Sequence, residues 1–171
     1  MKGIRGISFF IYLMLLASRT VAQVNVSTED IERPRHFSEN IFGVGLHGSL
    51  VTGFGLSFRQ RFAGTAIAYQ INGGIIKVNS FLYYDIGGEL QFDLSGSDFD
   101  RIYVIGGIGY YYSGENGKND LKTPLRIGIG LGYEYAFTRQ IGISLGLLIS
   151  GFFPNGDILP LPQIGIHYFF K

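Results

Sequence analysis

The stretch Arg126–Phe137, "RIGIGLGYEYAF", alternates without a break. One parity reads Arg126, Gly128, Gly130, Gly132, Glu134, Ala136; the other reads Ile127, Ile129, Leu131, Tyr133, Tyr135, Phe137. A period of two marks a β-strand with two unlike faces. Glycine is a poor strand residue, because it loses the most backbone entropy on ordering and packs nothing. Three in a row on one face therefore imply a neighbour that needs the space. The pattern recurs. Phe42, Val44 and Leu46 oppose Gly43, Gly45 and His47; Ile108 and Tyr110 oppose Gly107, Gly109 and Tyr111; Ile141, Ile143 and Leu145 oppose Gly142, Ser144 and Gly146. Eight such strands are expected, at about 41–48, 53–62, 65–72, 80–94, 101–112, 126–137, 141–149 and 162–170.

One face of all eight is aliphatic or aromatic, and the other is glycine, small or charged. A soluble sandwich would place the apolar face inward and Thr, Lys or Glu outward, and rows of glycine would have no use there. A closed barrel of about eight strands has an interior just wide enough for side chains to fill it. Glycine then leaves room for larger inward groups such as Arg126, Glu134 and Tyr111, and the apolar face meets lipid. The fold expected is an all-β, eight-stranded, antiparallel, up-and-down transmembrane β-barrel. Connections at 63–64 and 138–140 read as tight, and 95–100 as modest. Those at 73–79, 113–124 and 150–161 read as long, which gives the short and long sides of a membrane barrel. The connection at 49–52 is short although it falls on the long side. An even strand number puts both termini on the short-turn side.

The start of the chain reads as a targeting segment. Lys2 and Arg5 precede the apolar run Ile7–Ala17, and Thr20 and Ala22 supply small residues before Gln23. This is the pattern of a secretory signal peptide, residues 1–22, with a run too short to span a bilayer as a helix. Residues 23–40 form a polar N-terminal segment, and 41–171 the barrel domain. The leader's only charges are Lys2, Arg5 and Arg19, so 11 basic and 13 acidic residues remain after it. That balance offers nothing to a nucleic acid. A hydrophobic content of 46% excludes a disordered chain. Glycine is 26 of 171 residues, about twice the ordinary share of roughly 7%, with no collagen period.

The ending "QIGIHYFF", Gln163–Phe170, has a polar residue at Gln163, then Gly165, Tyr168 and Phe170 at fixed spacing. It resembles the C-terminal β-signal by which the bacterial barrel-assembly machinery recognises outer-membrane barrels, with Lys171 added beyond the aromatic residue. On "RIYVIGGIGYYY", "RIGIGLGYEYAF" and "LPQIGIHYFF", the chain from about Phe42 to Phe170 resembles the small outer-membrane β-barrel domain proteins of Gram-negative bacteria. The resemblance implies a cell outer membrane location, lipid and the assembly machinery as partners, and no particular activity.

Candidate residues for chemistry are few. Arg59, Arg61 and Arg126 share the inward face with Asp85, Glu89, Asp93 and Glu134, and His47 and His167 lie on the first and last strands, which closure makes neighbours. Unpaired charges in a narrow interior are costly, so a polar network filling the lumen is expected. The two histidines lack a third ligand for a metal. "GIGLG" is GxGxG rather than GxGxxG, with no helix after it, so no dinucleotide cofactor is expected. A lipid-modifying enzyme would have to be built from Ser144 and His167, with Glu134 at a distance. They point to the lumen, whereas a lipid substrate calls for the rim or outer face. No enzymatic activity and no cofactor are expected. The expectation is a structural or surface-interaction role, with envelope partners at loops 113–124 and 150–161. A soluble lipocalin-like barrel holding an apolar ligand would need the reverse pattern, apolar inside and polar outside.

Overall fold

The computed structural model describes residues 40–97, 99–115 and 118–170. It contains eight strands: β1 (Ile41–Ser49), β2 (Gly53–Arg61), β3 (Ile67–Val78), β4 (Phe81–Gly96), β5 (Asp100–Glu115), β6 (Leu125–Ala136), β7 (Ile141–Phe153) and β8 (Asp157–Phe170). Each pairs antiparallel with its sequence neighbour, and β8 returns to β1 to close the barrel. The closing register runs from Phe42 opposite Phe170 to Ser49 opposite Gln163, so both ends of the strand series meet on one side. Stacking of Phe42 on Phe170 and its tilted contact with Phe58 cover the seam on the outside.

Alternation sorts the two faces as the polarity demands. Val44, Leu46, Leu56, Ile71, Ile86, Leu90, Ile108, Ile129, Leu145, Ile149, Ile164 and Ile166 all lie exposed on the outer wall. Aromatic residues flank this aliphatic band. Phe62, Phe92, Tyr133, Tyr135, Phe137, Tyr168 and Phe170 ring the end where β1 begins and β8 finishes, and Phe54, Phe81, Tyr110 and Phe153 the other. No soluble monomer leaves so large an apolar surface bare. An apolar band between two aromatic girdles, on a sheet that closes on itself, is the outer-membrane-type solution to spanning a bilayer with strands. Barrel and lipid-facing wall therefore follow the alternation read from the sequence, and the reverse, lipocalin-like polarity is absent.

Two connections differ from expectation. The β3–β4 connection is only residues 79–80, with Asn79 at φ 55°, and the β7–β8 connection only residues 154–156. The sequence reading placed long loops at 73–79 and 150–161. Instead β3 continues through Ile75, Ile76 and Val78 against Phe81–Tyr84, and β7 through Phe152 and Phe153 against Asp157 and beyond. Gly73, Gly74, Pro160 and Pro162 look like turn signals but lie within strands. Proline is tolerated in β8 here because β1 pairs with β8 only from Gln163 onward, so Pro160 and Pro162 lie where β8 is an edge strand. Of the expected surface loops, 150–161 is mostly hairpin strand, and 113–124 keeps a loop only beyond Glu115.

Candidate lumen site

The inward face of each strand is set by parity, and the inward side chains form layers along the barrel axis. At the end where β1 begins and β8 finishes, the Phe169 ring lies against the inner faces of Gly43 and Gly142, which leave it room. Above it runs a chain of alternating charge. Arg61 pairs with Asp93; Asp93 accepts from Arg101 at 2.8 Å; Arg101 reaches Glu134 at 3.2 Å; and Glu134 pairs with Arg59. Arg59, Arg101 and Glu134 are almost wholly buried. Each carboxylate lies between two guanidinium groups, which is how buried charge becomes tolerable. Neutral amides continue the network. Arg59 Nε donates to Gln70 Oε1 at 2.7 Å, Arg101 Nη2 to Gln91 Oε1 at 2.7 Å, and Gln91 Nε2 to Glu89 Oε2 at 3.0 Å.

Glu89 belongs to the next layer. Its Oε1 accepts from the Thr52 hydroxyl at 2.7 Å and lies 3.1 Å from His47 Nε2, which also meets Thr52 Oγ1 at 3.2 Å. Thr52 belongs to the connection between β1 and β2. Within that turn, Leu50–Thr52, Leu50 stays exposed, while Val51 and Thr52 fold into the barrel and have no exposed surface. Val51 packs with Tyr103, Ile105 and Leu148 in an apolar cluster inside the lumen. The turn is tied on every side. Its own Ser49 Oγ accepts from the Val51 and Thr52 amides, and Asn72 Nδ2 donates to Thr52 O at 3.0 Å. Tyr111 donates to Ser49 O at 2.7 Å and accepts from Gly53 N at 3.0 Å. Asp85 accepts from Phe54 N at 2.7 Å, and Arg126 donates to Leu50 O at 2.6 Å.

The glycine rows are now accounted for. A Cβ on Gly107 would meet the Thr52 methyl, one on Gly109 the Val51 carbonyl, one on Gly87 the Thr52 carbonyl, and one on Gly128 a Val51 methyl at 3.1 Å. Gly132 lies beneath the Tyr103 ring, 2.5 Å from where its Cβ would be. Gly87, Gly107, Gly109 and Gly128 therefore make room for the inserted turn and Gly132 for Tyr103, whereas a Cβ on Gly130 would meet the backbone of Leu147 and Leu148 on β7. The sequence reading assigned that space to Arg126, Glu134 and Tyr111.

The candidate residues fall into three groups. Arg59, Arg61 and Glu134 meet in the alternating chain, and His47 and Glu89 meet at Thr52. Asp85 and Arg126 sit higher, at the mouth, and make no ion pair among the described residues. Asp85 holds backbone, and Arg126 lies over the Tyr111 ring at 4.0 Å. His167 shares a 2.9 Å hydrogen bond with Ser57, not Ser144, whose hydroxyl makes only a long 3.5 Å contact with Gly165 O. The histidines approach each other across Gly165, a Cβ on which would touch both rings. No group of three or more His, Cys, Asp or Glu among the described residues is arranged to hold a metal. Gln163 and Gly165 face inward on β8, and Tyr168 and Phe170 outward. Sequence reasoning missed Arg101, Tyr103 and Ile105, although the parity that puts Gly107 and Gly109 inside puts all three there. It also missed Val51 and Thr52, for which alternation carries no signal, because a turn has no period. The expected signal peptide and polar segment lie outside the described residues.

No family model and no curated protein matches the chain. Among solved structures, the barrel is similar to the Yersinia pestis outer membrane protein Ail in a phospholipid bilayer nanodisc, at 14% identity and a TM-score of 0.44, over 78% of this chain and 99% of that one. The crystal structure of Ail, the attachment invasion locus protein of Yersinia pestis, is similar at 14% identity and a TM-score of 0.41, over 77% and 97%. That protein in complex with the heparin analogue sucrose octasulfate is similar at 15% identity and a TM-score of 0.39, over 77% and 99%.

Proposed function

We propose that this chain is a small integral protein of the bacterial cell outer membrane with a structural or surface-interaction role and a lumen closed by its own side chains. The supporting observation is the unbroken series of buried groups along the axis, from Phe169 through Arg59, Arg101 and Glu134 to Glu89, Thr52 and Val51. A filled interior leaves no path for bulk solute and supplies rigidity instead. Lipid surrounds the apolar band. The barrel-assembly machinery is the partner during insertion, reading Gln163, Gly165, Tyr168 and Phe170. Surface partners meet the rim formed by residues 118–124 and the β7–β8 hairpin. No catalytic role is assigned to Ser144, Ser57 or His167.

The experiment is fractionation of cells, detergent extraction of the outer-membrane fraction, electrophoresis with and without boiling, and reconstitution in planar bilayers. The expected result is extraction by detergent only, altered mobility on boiling, and no steady ion current. Recovery as a soluble periplasmic protein would overturn the location, and a steady current from the native barrel would overturn the closed lumen.

A further inference from the structure

We propose that the β1–β2 turn is a latch: Val51 and Thr52 are docked in the outer half of the barrel by side chains of the surrounding wall, and their withdrawal opens that half to water. The proposal rests on the closed-lumen reading above.

Three features distinguish the turn from ordinary packed interior. First, side chains hold it. The β1–β2 ladder ends where Ser49 faces Gly53, and beyond it the wall reaches the hairpin end through Asn72, Asp85, Tyr111 and Arg126. Four of these bonds end on backbone atoms of residues 49–54, groups that water can satisfy once the side chains let go. Second, apart from Tyr103, Ile105 and Leu148, which meet Val51, much of the wall behind the turn is glycine. Gly87, Gly107, Gly109 and Gly128 present no side chain that would interlock with the turn and obstruct its exit. Third, the base of the turn is built to pivot. Gly53 and Gly55 have φ of 111° and 134°, where a side chain is strained, so the backbone there has freedom that other residues lack.

Withdrawal carries a single apolar side chain, Val51, out of its contact with Tyr103, Ile105 and Leu148. The layer uncovered beneath the turn is polar, since His47, Glu89 and Asn72 all now bond Thr52. Such a layer hydrates readily. The charged chain of Arg59, Arg101 and Glu134 lies below it and is not disturbed by the movement, so the opened space is a cup and not a channel.

The chain contains no cysteine, so V51C provides a single reporter. Vesicle-reconstituted protein is treated with a membrane-impermeant sulfonated maleimide, and the folded fraction is followed by mobility without boiling. V51C alone should react slowly. V51C/Y111F, which loses one oxygen and both bonds to Ser49 and Gly53, should react about tenfold faster or more, the effect of weakening the closed state by two hydrogen bonds. V51C/R126A should do the same. If R126A lowers the folded fraction, Y111F decides. Slow labelling that neither substitution accelerates would overturn the latch and leave the closed lumen standing. Fast labelling of V51C alone would overturn the closed lumen itself.

Discussion

Gly132 and Gly106 lie on neighbouring strands with opposite surroundings. Gly132 faces inward, under the Tyr103 ring; Gly106 faces lipid, and a Cβ there would meet nothing within 4 Å. Gly132→Ala forces a rigid ring out of a filled layer, where overpacking costs about 1–3 kcal/mol. Gly106→Ala adds no contact and restricts the unfolded chain, a gain of about 0.5 kcal/mol. Urea unfolding of the two variants in lipid vesicles checks both signs. Equal effects would mean that these glycines answer to strand propensity and not to what they face. The charged residues follow a related rule. Glu134 is tolerable at its depth because Arg59 and Arg101 both reach it, whereas Asp85 and Arg126, nearer the mouth, spend their bonds on the β1–β2 hairpin.

Among the elements, β8 separates the backbone requirements most sharply. Its first residues pair with β7 alone, and from Gln163 it is held on both sides. Pro160 and Pro162 precede the point where both sides are needed. Ile164 lies past it, opposite Gly48 on one side and Leu145 on the other. Ile164→Pro therefore removes a donor and adds a rigid ring within a doubly paired segment. The expected outcome is loss of the fast-migrating folded form on an unboiled gel, with a Pro160→Ala control still folding. The same element shows where sequence was legible. Alternation in "QIGIHYFF" gave its face and end correctly, because the outer wall must be apolar throughout the bilayer. Its beginning was placed at Pro162 and lies at Asp157, because proline signals a break only where a ladder needs its N–H. At Arg101–Ile105 the parity was present and simply not carried far enough toward the turn. For Leu50–Thr52 nothing in the sequence indicated an inward fold. The only trace is indirect, in glycines at 87, 107, 109 and 128 on three other strands, and linking them to the turn requires knowing the register between strands.

For the molecule as a whole, depth in the bilayer is the controlling coordinate. Ile129 sits midway between the aromatic girdles and is 63% exposed; Ile158, on the β7–β8 hairpin, is 70% exposed. Exposure alone would make them equivalent. Arginine at Ile129 should cost about 2–4 kcal/mol and at Ile158 about 0–1 kcal/mol, because only the former places charge near the middle of the hydrocarbon. Urea titration in vesicles measures both, and similar losses at the two sites would contradict the placement of the lipid band.

The seam between β1 and β8 also sets an order of events in time. Phe42 and Phe170 are partners across the seam although almost the whole described chain separates them. A contact of such sequence separation is entropically the slowest to form, and every other strand pairing in the barrel is between sequence neighbours. The hairpins can therefore assemble locally and early, while the edges of β1 and β8 wait for each other. Until they meet, the molecule has two unsatisfied edges, the condition under which strands recruit foreign strands. A chain without β8 keeps β1 open permanently, so the docking of β8 decides whether the product is a membrane protein or a seed for aggregation.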